Sequence, residues 1–463
     1  MKHKSFLKSA LIVSIGGMAA KGIGALYRIP LTNLLGGYGM GLYQMAYPFF
    51  CVLLTFSSAG IPSAFARMIA REHASGSGHG GTVRAALGVF FALGLCGALI
   101  MCLLAPDMSA LQGDESLINC YYALAPSVLL VALIAVFRGY FQGKNDMKPT
   151  AVSEIFEQTV KAAAGLFFAL RFREDPMRAV AYTLIAVTLS EAFALAYLIL
   201  RYRGEERKTF PSRAHATGGE IVRAAFPVMA AAALLPLSQM ADSVIIVRLL
   251  SRYSTRAVSL YGLYAGGAVS LVNLPASVCY GLAAAAVPAV SEAFARGDRE
   301  GGKRKAMFAL GITLFLSAPC AAGLFLFARP IVSLLYSSLS QEDAQTLVTL
   351  VRLSAVSAAS LSCVQTLSAC LTGMGKAKYA AFSMLIAVTV KFALQWLLLP
   401  RPSLSVGGAA IASAACYLIA FFLDLFYTVT EKHGGGKHDH GCEFGRRKKR
   451  LDGAGAQGDR MRG

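Results

Sequence analysis

Long apolar runs, each near the length a helix needs to cross a bilayer, recur along the whole chain between short polar segments. A spanning helix takes about 20 mostly apolar residues. Twelve such stretches fall at roughly 9–34, 41–66, 83–105, 117–142, 150–171, 179–201, 219–248, 258–287, 305–328, 344–372, 378–399 and 406–430. Pro62, Pro227, Pro236, Pro275 and Pro288 interrupt several of them. Spanning helices tolerate this where neighbours or cavities satisfy the freed backbone. The expected fold is an all-α polytopic membrane protein with about 12 transmembrane helices.

Composition sharpens this. Of 463 residues, 56% are hydrophobic and only 15% charged, against about 25% charged in soluble domains. The mean hydropathy is +0.56. No small-residue cleavage site follows the basic start MKHKSFLKSA, so the first span is expected to stay. With the N-terminus inside, 31 of the 44 lysines and arginines fall in inner segments, eight in outer segments and five within spans. That bias and an even span count predict a plasma-membrane protein with both termini cytoplasmic. Arg171, Arg173, Arg178, Arg248, Arg252 and Arg256 lie on the outer side in this arrangement. Topology and anionic headgroups account for the net charge of +19. The expected partner is the lipid bilayer and not nucleic acid, since no basic motif with interleaved aromatics occurs. Ten cysteines without a CxxC, mostly in apolar runs, read as small buried hydrophobes.

The two halves echo each other. Gly41-Leu42-Tyr43 recurs as Gly262-Leu263-Tyr264, Gly60 as Gly281, and Ala64-Phe65-Ala66-Arg67 as Ala293-Phe294-Ala295-Arg296. Gly143, Lys148 and Ala151 recur as Gly373, Lys378 and Ala381. The matches keep their order, which predicts a duplicated six-helix unit whose copies run parallel about an axis along the membrane normal. The expected units are an N-terminal lobe at 1–201, a cytoplasmic linker at 202–218, a C-terminal lobe at 219–430 and a basic tail at 431–463. The tail cluster Arg446–Arg450 reads as an anchor to anionic lipid. His433, His438, His440 and Cys442 are too loosely spaced for a metal site, and none is expected.

Charges inside the spans are the candidate chemistry. Lys21 and Arg28, seven residues apart, share one face of the first span. A charge at membrane depth costs about 2.5–3.5 kcal/mol on insertion scales and marks a functional hypothesis. The two readings are a structural pairing and anion binding, for which an arginine fork is suited. In the fifth span Glu154, Glu157, Gln158 and Lys161 fall at i, i+3, i+4 and i+7 on one face, with Glu157 and Lys161 placed to pair. That face is either a self-neutralising stripe between helices or a cavity wall with proton- or cation-sensitive carboxylates. Arg352 and Lys391 add positive charge in the second half, where Asp242 and Asp424 are lone acids of their spans. Asp242 either coordinates a coupling cation or pairs with a cation such as Arg248 or one on a neighbouring helix. No P-loop, HExxH or GxSxG stands in its required context. The chain reads as no enzyme, with no catalytic residues, no bound cofactor and no ATP drive of its own.

GLYQMAYPFFCVLLTFSSAGIPSAFARMIARE (41–72) and RGYFQGKNDMKPTAVSEIFEQTVK (138–161) resemble the polysaccharide-transporter, stage V sporulation protein B-like branch of the multidrug/oligosaccharidyl-lipid/polysaccharide (MOP) exporter superfamily. Lipid II flippases are more distant cousins. The resemblance implies two six-helix lobes forming a V, as in MATE and MurJ proteins, a central cavity and alternating access. It implies a flippase for a lipid-linked oligosaccharide or peptidoglycan precursor, serving cell-wall, spore-cortex or surface polysaccharide synthesis. By position, Lys21 and Arg28 look like the first-span arginines of the flippases' cationic cavity; the flippases' second-span arginine pair is absent from 49–66. The expected headgroup contacts are Lys21, Arg28, Lys161, Arg352 and Lys391, with Glu154, Glu157 and Asp242 as candidates for coupling to Na+, H+ or the membrane potential. Cell-wall synthesis proteins are candidate partners. A cation-coupled multidrug antiporter and a non-transporting scaffold are the competing readings; the antiporter would want an acid-rich cavity, and the scaffold would not need the charges of Lys21 and Arg28.

Overall fold

With lipid on its flanks, a spanning backbone has only itself to hydrogen-bond, and the chain answers with helices throughout. The computed structural model describes residues 2–58, 61–74, 80–206 and 218–430, and every regular element among them is helical. α1 (Lys2–Ser58) holds two spans, because the chain breaks at Gly36, whose φ of 65° lies in the left-handed region that glycine enters without steric cost. The first arm (2–35) runs with α5 (Lys148–Arg171), Gly16 against Ala151 and Tyr27 against Gly165. The second arm (37–58) runs with α4 (Leu117–Gly143), Phe49 against Tyr121. α4 and α5 are consecutive and antiparallel, so the chain reverses direction at Gly36.

α2 (Ile61–Ala74) extends the second span, and α3 (Gly80–Gln112) and α6 (Pro176–Glu206) complete the first six. The second six are α7 (Gly218–Leu250), α8 (Ala257–Gly262) joined through a π-helical turn at Leu263–Ala268 to α9 (Val269–Ala295), then α10 (Arg299–Leu326), α12 (Gln341–Gly373), α13 (Ala377–Leu398) and α14 (Gly407–Val429). A short helix, α11 (Ala328–Leu335), precedes α12. Hydropathy alone marks 10 of these helices as long and apolar enough to cross a membrane. Dividing α1 at Gly36, and adding the charge-striped α5, makes twelve. The chain is a multi-pass membrane protein. α6 continues through residues expected in the linker, to Glu206; 207–217 and the tail at 431–463, with its basic cluster and histidines, lie outside the described residues.

Packing explains the shape. One large core joins the halves at the Gly36 end, with Leu31, Met40, Tyr121 and Val180 packed into the same cluster as Leu263, Val332, Tyr336 and Leu347. At the other end the cores are separate. Phe65, Phe90, Phe141 and Leu198 form one in the first half; Val290, Ala306, Leu371 and Met374 form one in the second. α2 and α7 also touch at this end. The joined end is further tied by hydrogen bonds. Asn33 Nδ2 donates to the Leu335 carbonyl (2.6 Å), Gln44 Nε2 to the Ala265 carbonyl (2.8 Å) and Gln112 Nε2 to Ser243 Oγ (2.9 Å).

The repeated Gly-Leu-Tyr segments meet there. A Cβ on Gly41 would collide with the Val258 carbonyl, and one on Gly262 with the Gly37 carbonyl. At the repeat offset Gly41 corresponds to Gly262 and Gly37 to Val258, so one contact is the symmetry mate of the other. Only glycine lets the two backbones approach this closely.

Candidate functional site

A cavity of about 490 Å3 lies between α1, α4, α5, α9 and α12, on the separated side of the shared core. Its first-half wall is the parallel pair of α1 and α5. Gly17 sits beside Glu154 and Gly24 beside Gln158, so the two helices lie close and their polar faces turn to the same space. Lys21 and Arg28 of α1, and Glu154, Glu157, Gln158 and Lys161 of α5, all line it, as the spacing on each helix predicts. α4 contributes Arg138, and the second half contributes Asn273, Ser277 and Tyr280 of α9 and Gln365 of α12.

Hydrogen bonds sort these charges into committed and free. Arg138 donates from Nη2 to Glu157 Oε2 (3.0 Å) and from Nε to Ser153 Oγ (3.0 Å). Gln158 Nε2 donates to Glu157 Oε1 (3.2 Å). This corrects the expected Glu157–Lys161 pair. A planar guanidinium on the facing helix serves Glu157 and Ser153 together, and Glu157 is taken before Lys161 reaches it. Lys21 Nζ lies 3.2 Å from the centre of the Tyr280 ring, a cation–π contact across the two halves. Among the described residues no salt bridge reaches Arg28 or Lys161. Tyr43 and Tyr47 form a stacked pair (5.6 Å, 14°) on the cavity wall. Behind them Glu191 of α6 is buried, with Oε2 lacking a hydrogen-bond partner.

The cavity thus holds four cations against two carboxylates, and two of the cations, Arg28 and Lys161, are uncommitted. Partly buried, Arg28 and Lys161 act more strongly than charges at an open surface. Arg28 can hold two anionic oxygens at once, with Lys161 as a point charge beside it.

The remaining expected residues lie elsewhere. Lys391 Nζ pairs with Asp242 Oδ2 (2.7 Å) and donates to Ser238 Oγ (3.1 Å), while Gln395 Nε2 donates to Asp242 Oδ1 (2.9 Å). Asp242 therefore takes its cation from α13. Arg248 instead donates Nε to the Leu111 carbonyl (2.7 Å). Arg352 is exposed on α12 and does not line the cavity. Sequence spacing alone does not single out Arg138 as a cavity residue. Charge balance is the signal for it: α5 brings two carboxylates and one lysine to its polar face, which calls for a second cation from an adjoining helix.

A family model described as polysaccharide biosynthesis protein matches residues 6–294, and the MatE family model matches residues 227–397. The chain is 27% identical to stage V sporulation protein B of Bacillus subtilis (strain 168) over 429 residues, covering 89% of this chain and 81% of that protein. It is 22% identical to the lipid II flippase MurJ of the same organism over 457 residues, covering 93% of this chain and 83% of the flippase. A solved inward-facing conformation of a multidrug resistance MATE family transporter of the MOP superfamily matches with a TM-score of 0.73 at 16% identity, over 91% of this chain and 97% of that one. At that identity the likeness is one of fold.

Proposed function

The chain belongs to the polysaccharide biosynthesis protein family, and from that premise we propose that it is a flippase. Its cargo on this reading is a polyprenyl-diphosphate sugar, a lipid-linked oligosaccharide or peptidoglycan precursor, carried from the inner to the outer leaflet by alternating access. The observation that carries the reading is the cation excess of the cavity, where among the described residues no salt bridge reaches Arg28 or Lys161. A diphosphate headgroup cannot enter hydrocarbon, whereas its prenyl tail prefers it. A wet, cationic cavity between two lobes suits the first and leaves the second in the bilayer. Arg28 and Lys161 would bind the diphosphate oxygens, with Lys21 and the Arg138–Glu157 pair shaping the wall. The lipid II flippase among the relatives carries a cargo of this class in its name.

The separated-core end bears Arg67, Arg71, Arg84, Lys144, Lys148, Arg201, Arg296 and Arg299. By the positive-inside rule that end faces the cytoplasm, which puts both termini inside and the cavity on the loading side. Outward movement of an anion against a negative-inside potential costs about 2.3 kcal/mol per charge per 100 mV. Pairing with protein cations lowers the charge that moves, and proton or Na+ return through the carboxylates of the cavity, Glu154 and Glu157, would supply drive. A drug exporter handling organic cations would want the opposite cavity charge. Depletion of the protein in its host tests the reading: lipid-linked precursor should accumulate on the inner leaflet. Normal precursor export in depleted cells refutes it.

A further inference from the structure

A second cavity, of about 450 Å3, adjoins the first. Asn273 and Gln365 line both, so the two cavities meet at these side chains as neighbouring branches. The walls of the second branch are mostly apolar, among them Leu234, Val364, Met384 and Val388. Set into them is Asp424 of α14, whose residue is only 1% exposed. Ser368 Oγ donates to its Oδ2 (2.7 Å), while Oδ1 has no partner, and among the described residues no salt bridge reaches it. At the seam between the branches, Gln365 Oε1 is likewise buried and without a donor. Gln365 and Ser368 lie three apart on α12 and share a face.

The two branches are therefore complementary in kind. The first offers free donors, Arg28 and Lys161, to acceptor atoms. The second offers unmet acceptors, Gln365 Oε1 and Asp424 Oδ1, to donors. Buried acceptors of this sort are costly unless something supplies N–H or O–H groups. The space is much larger than one ion and largely apolar, which fits an amine on a carbon chain better than a bare cation.

Resting on the flippase reading above, we propose that the second cavity is a subsite for an ammonium group borne by the same headgroup, held by Asp424 and Gln365 while the diphosphate sits on Arg28 and Lys161. The cargo class narrows accordingly to lipid diphosphates whose glycan or its appendage carries a primary amine.

The test uses the full-length protein in proteoliposomes with two probes: a polyprenyl-diphosphate disaccharide bearing a free primary amine, and its N-acetylated twin. The wild type should move the amine probe at least tenfold faster at sub-saturating concentration. Asp424→Asn keeps an oxygen for the Ser368 hydroxyl but removes the charge, and should bring the amine probe within about twofold of its twin without slowing the twin. Equal wild-type rates overturn the inference while leaving the flippase intact, and this comparison needs no variant to fold. Equal slowing of both probes by Asp424→Asn also overturns it. Movement of neither probe by the wild type overturns the flippase reading and this inference with it.

Discussion

Removing the Lys391 ammonium should unbalance the second half more than any other single charge change there. The pair is 2.7 Å apart with side chains 9% and 19% exposed for Lys391 and Asp242. At an effective dielectric of about 20, that separation gives roughly 6 kcal/mol of attraction. Withdrawing two ions from water costs several kcal/mol each, so the intact pair is close to neutral in net stability. Breaking it is not. Lys391→Met leaves a carboxylate among apolar neighbours with only the Gln395 amide on it, and loss of one partner of a buried pair costs about 3–5 kcal/mol. The surviving Gln395 bond puts the expected loss near the lower end, about 3 kcal/mol. Asp242→Leu with Lys391→Met together should return to within about 1 kcal/mol of the wild type, because both charges are gone. Equilibrium unfolding of the purified protein in bicelles, run on both singles and the double, reads the coupling directly. Additive losses in the double, or a loss below about 1 kcal/mol in Lys391→Met, would refute the reasoning.

Three further outcomes follow from the cavity and the crossing. Lys161→Ala should slow lipid-diphosphate transport about tenfold or more in proteoliposomes, the effect of losing one charge-assisted hydrogen bond worth about 1.5–3 kcal/mol, with Lys161→Arg retaining most of the rate. Arg138→Ala should cost about 1–3 kcal/mol of stability by stranding Glu157, and Arg138→Lys should restore it only in part, since the shorter ammonium does not reproduce the geometry of the guanidinium fork on Ser153 and Glu157; unfolding titrations measure both. Gly262→Val should push α8 off α1 and cost roughly 1–3 kcal/mol, whereas Gly22→Val, at a glycine with open space around its Cα, should be far milder in the same assay.

The sequence carried the fold further than the site. Apolar run length located the spans, because bilayer thickness sets it directly. It bracketed the Gly36 reversal between runs ending near 34 and starting near 41, but not that a single residue stands in for the loop, and it did not show the π-turn at 263–268, which has no periodicity signal of its own. Helical spacing correctly put Glu154, Glu157, Gln158 and Lys161 on a common face, since i, i+3, i+4 and i+7 is a property of one helix. Which partner Glu157 takes is a property of two helices, and the sequence order of α4 and α5 does not reveal that Arg138 lies opposite. The same limit explains Lys391 and Arg352: depth in a span was legible, but the wall each faces depends on how α7, α12 and α13 are rotated against their neighbours.

The mirrored contact of Gly41 with Val258 and of Gly262 with Gly37 has the form of an isologous interface, in which one patch meets its own twin. A half-length chain bearing this patch would close a two-fold homodimer, and every substitution in it would enter both walls of the central space at once. Carrying both halves in one chain removes that bond between the walls. It is what permits a glycine at 37 where the other half has Val258, a π-turn to occur at 263–268 while its counterpart stays α-helical, and basic residues to collect on the first wall while Asp242 and Asp424 occupy the second half. A space with unlike sides is available to a chain that carries both halves and closed to such a homodimer.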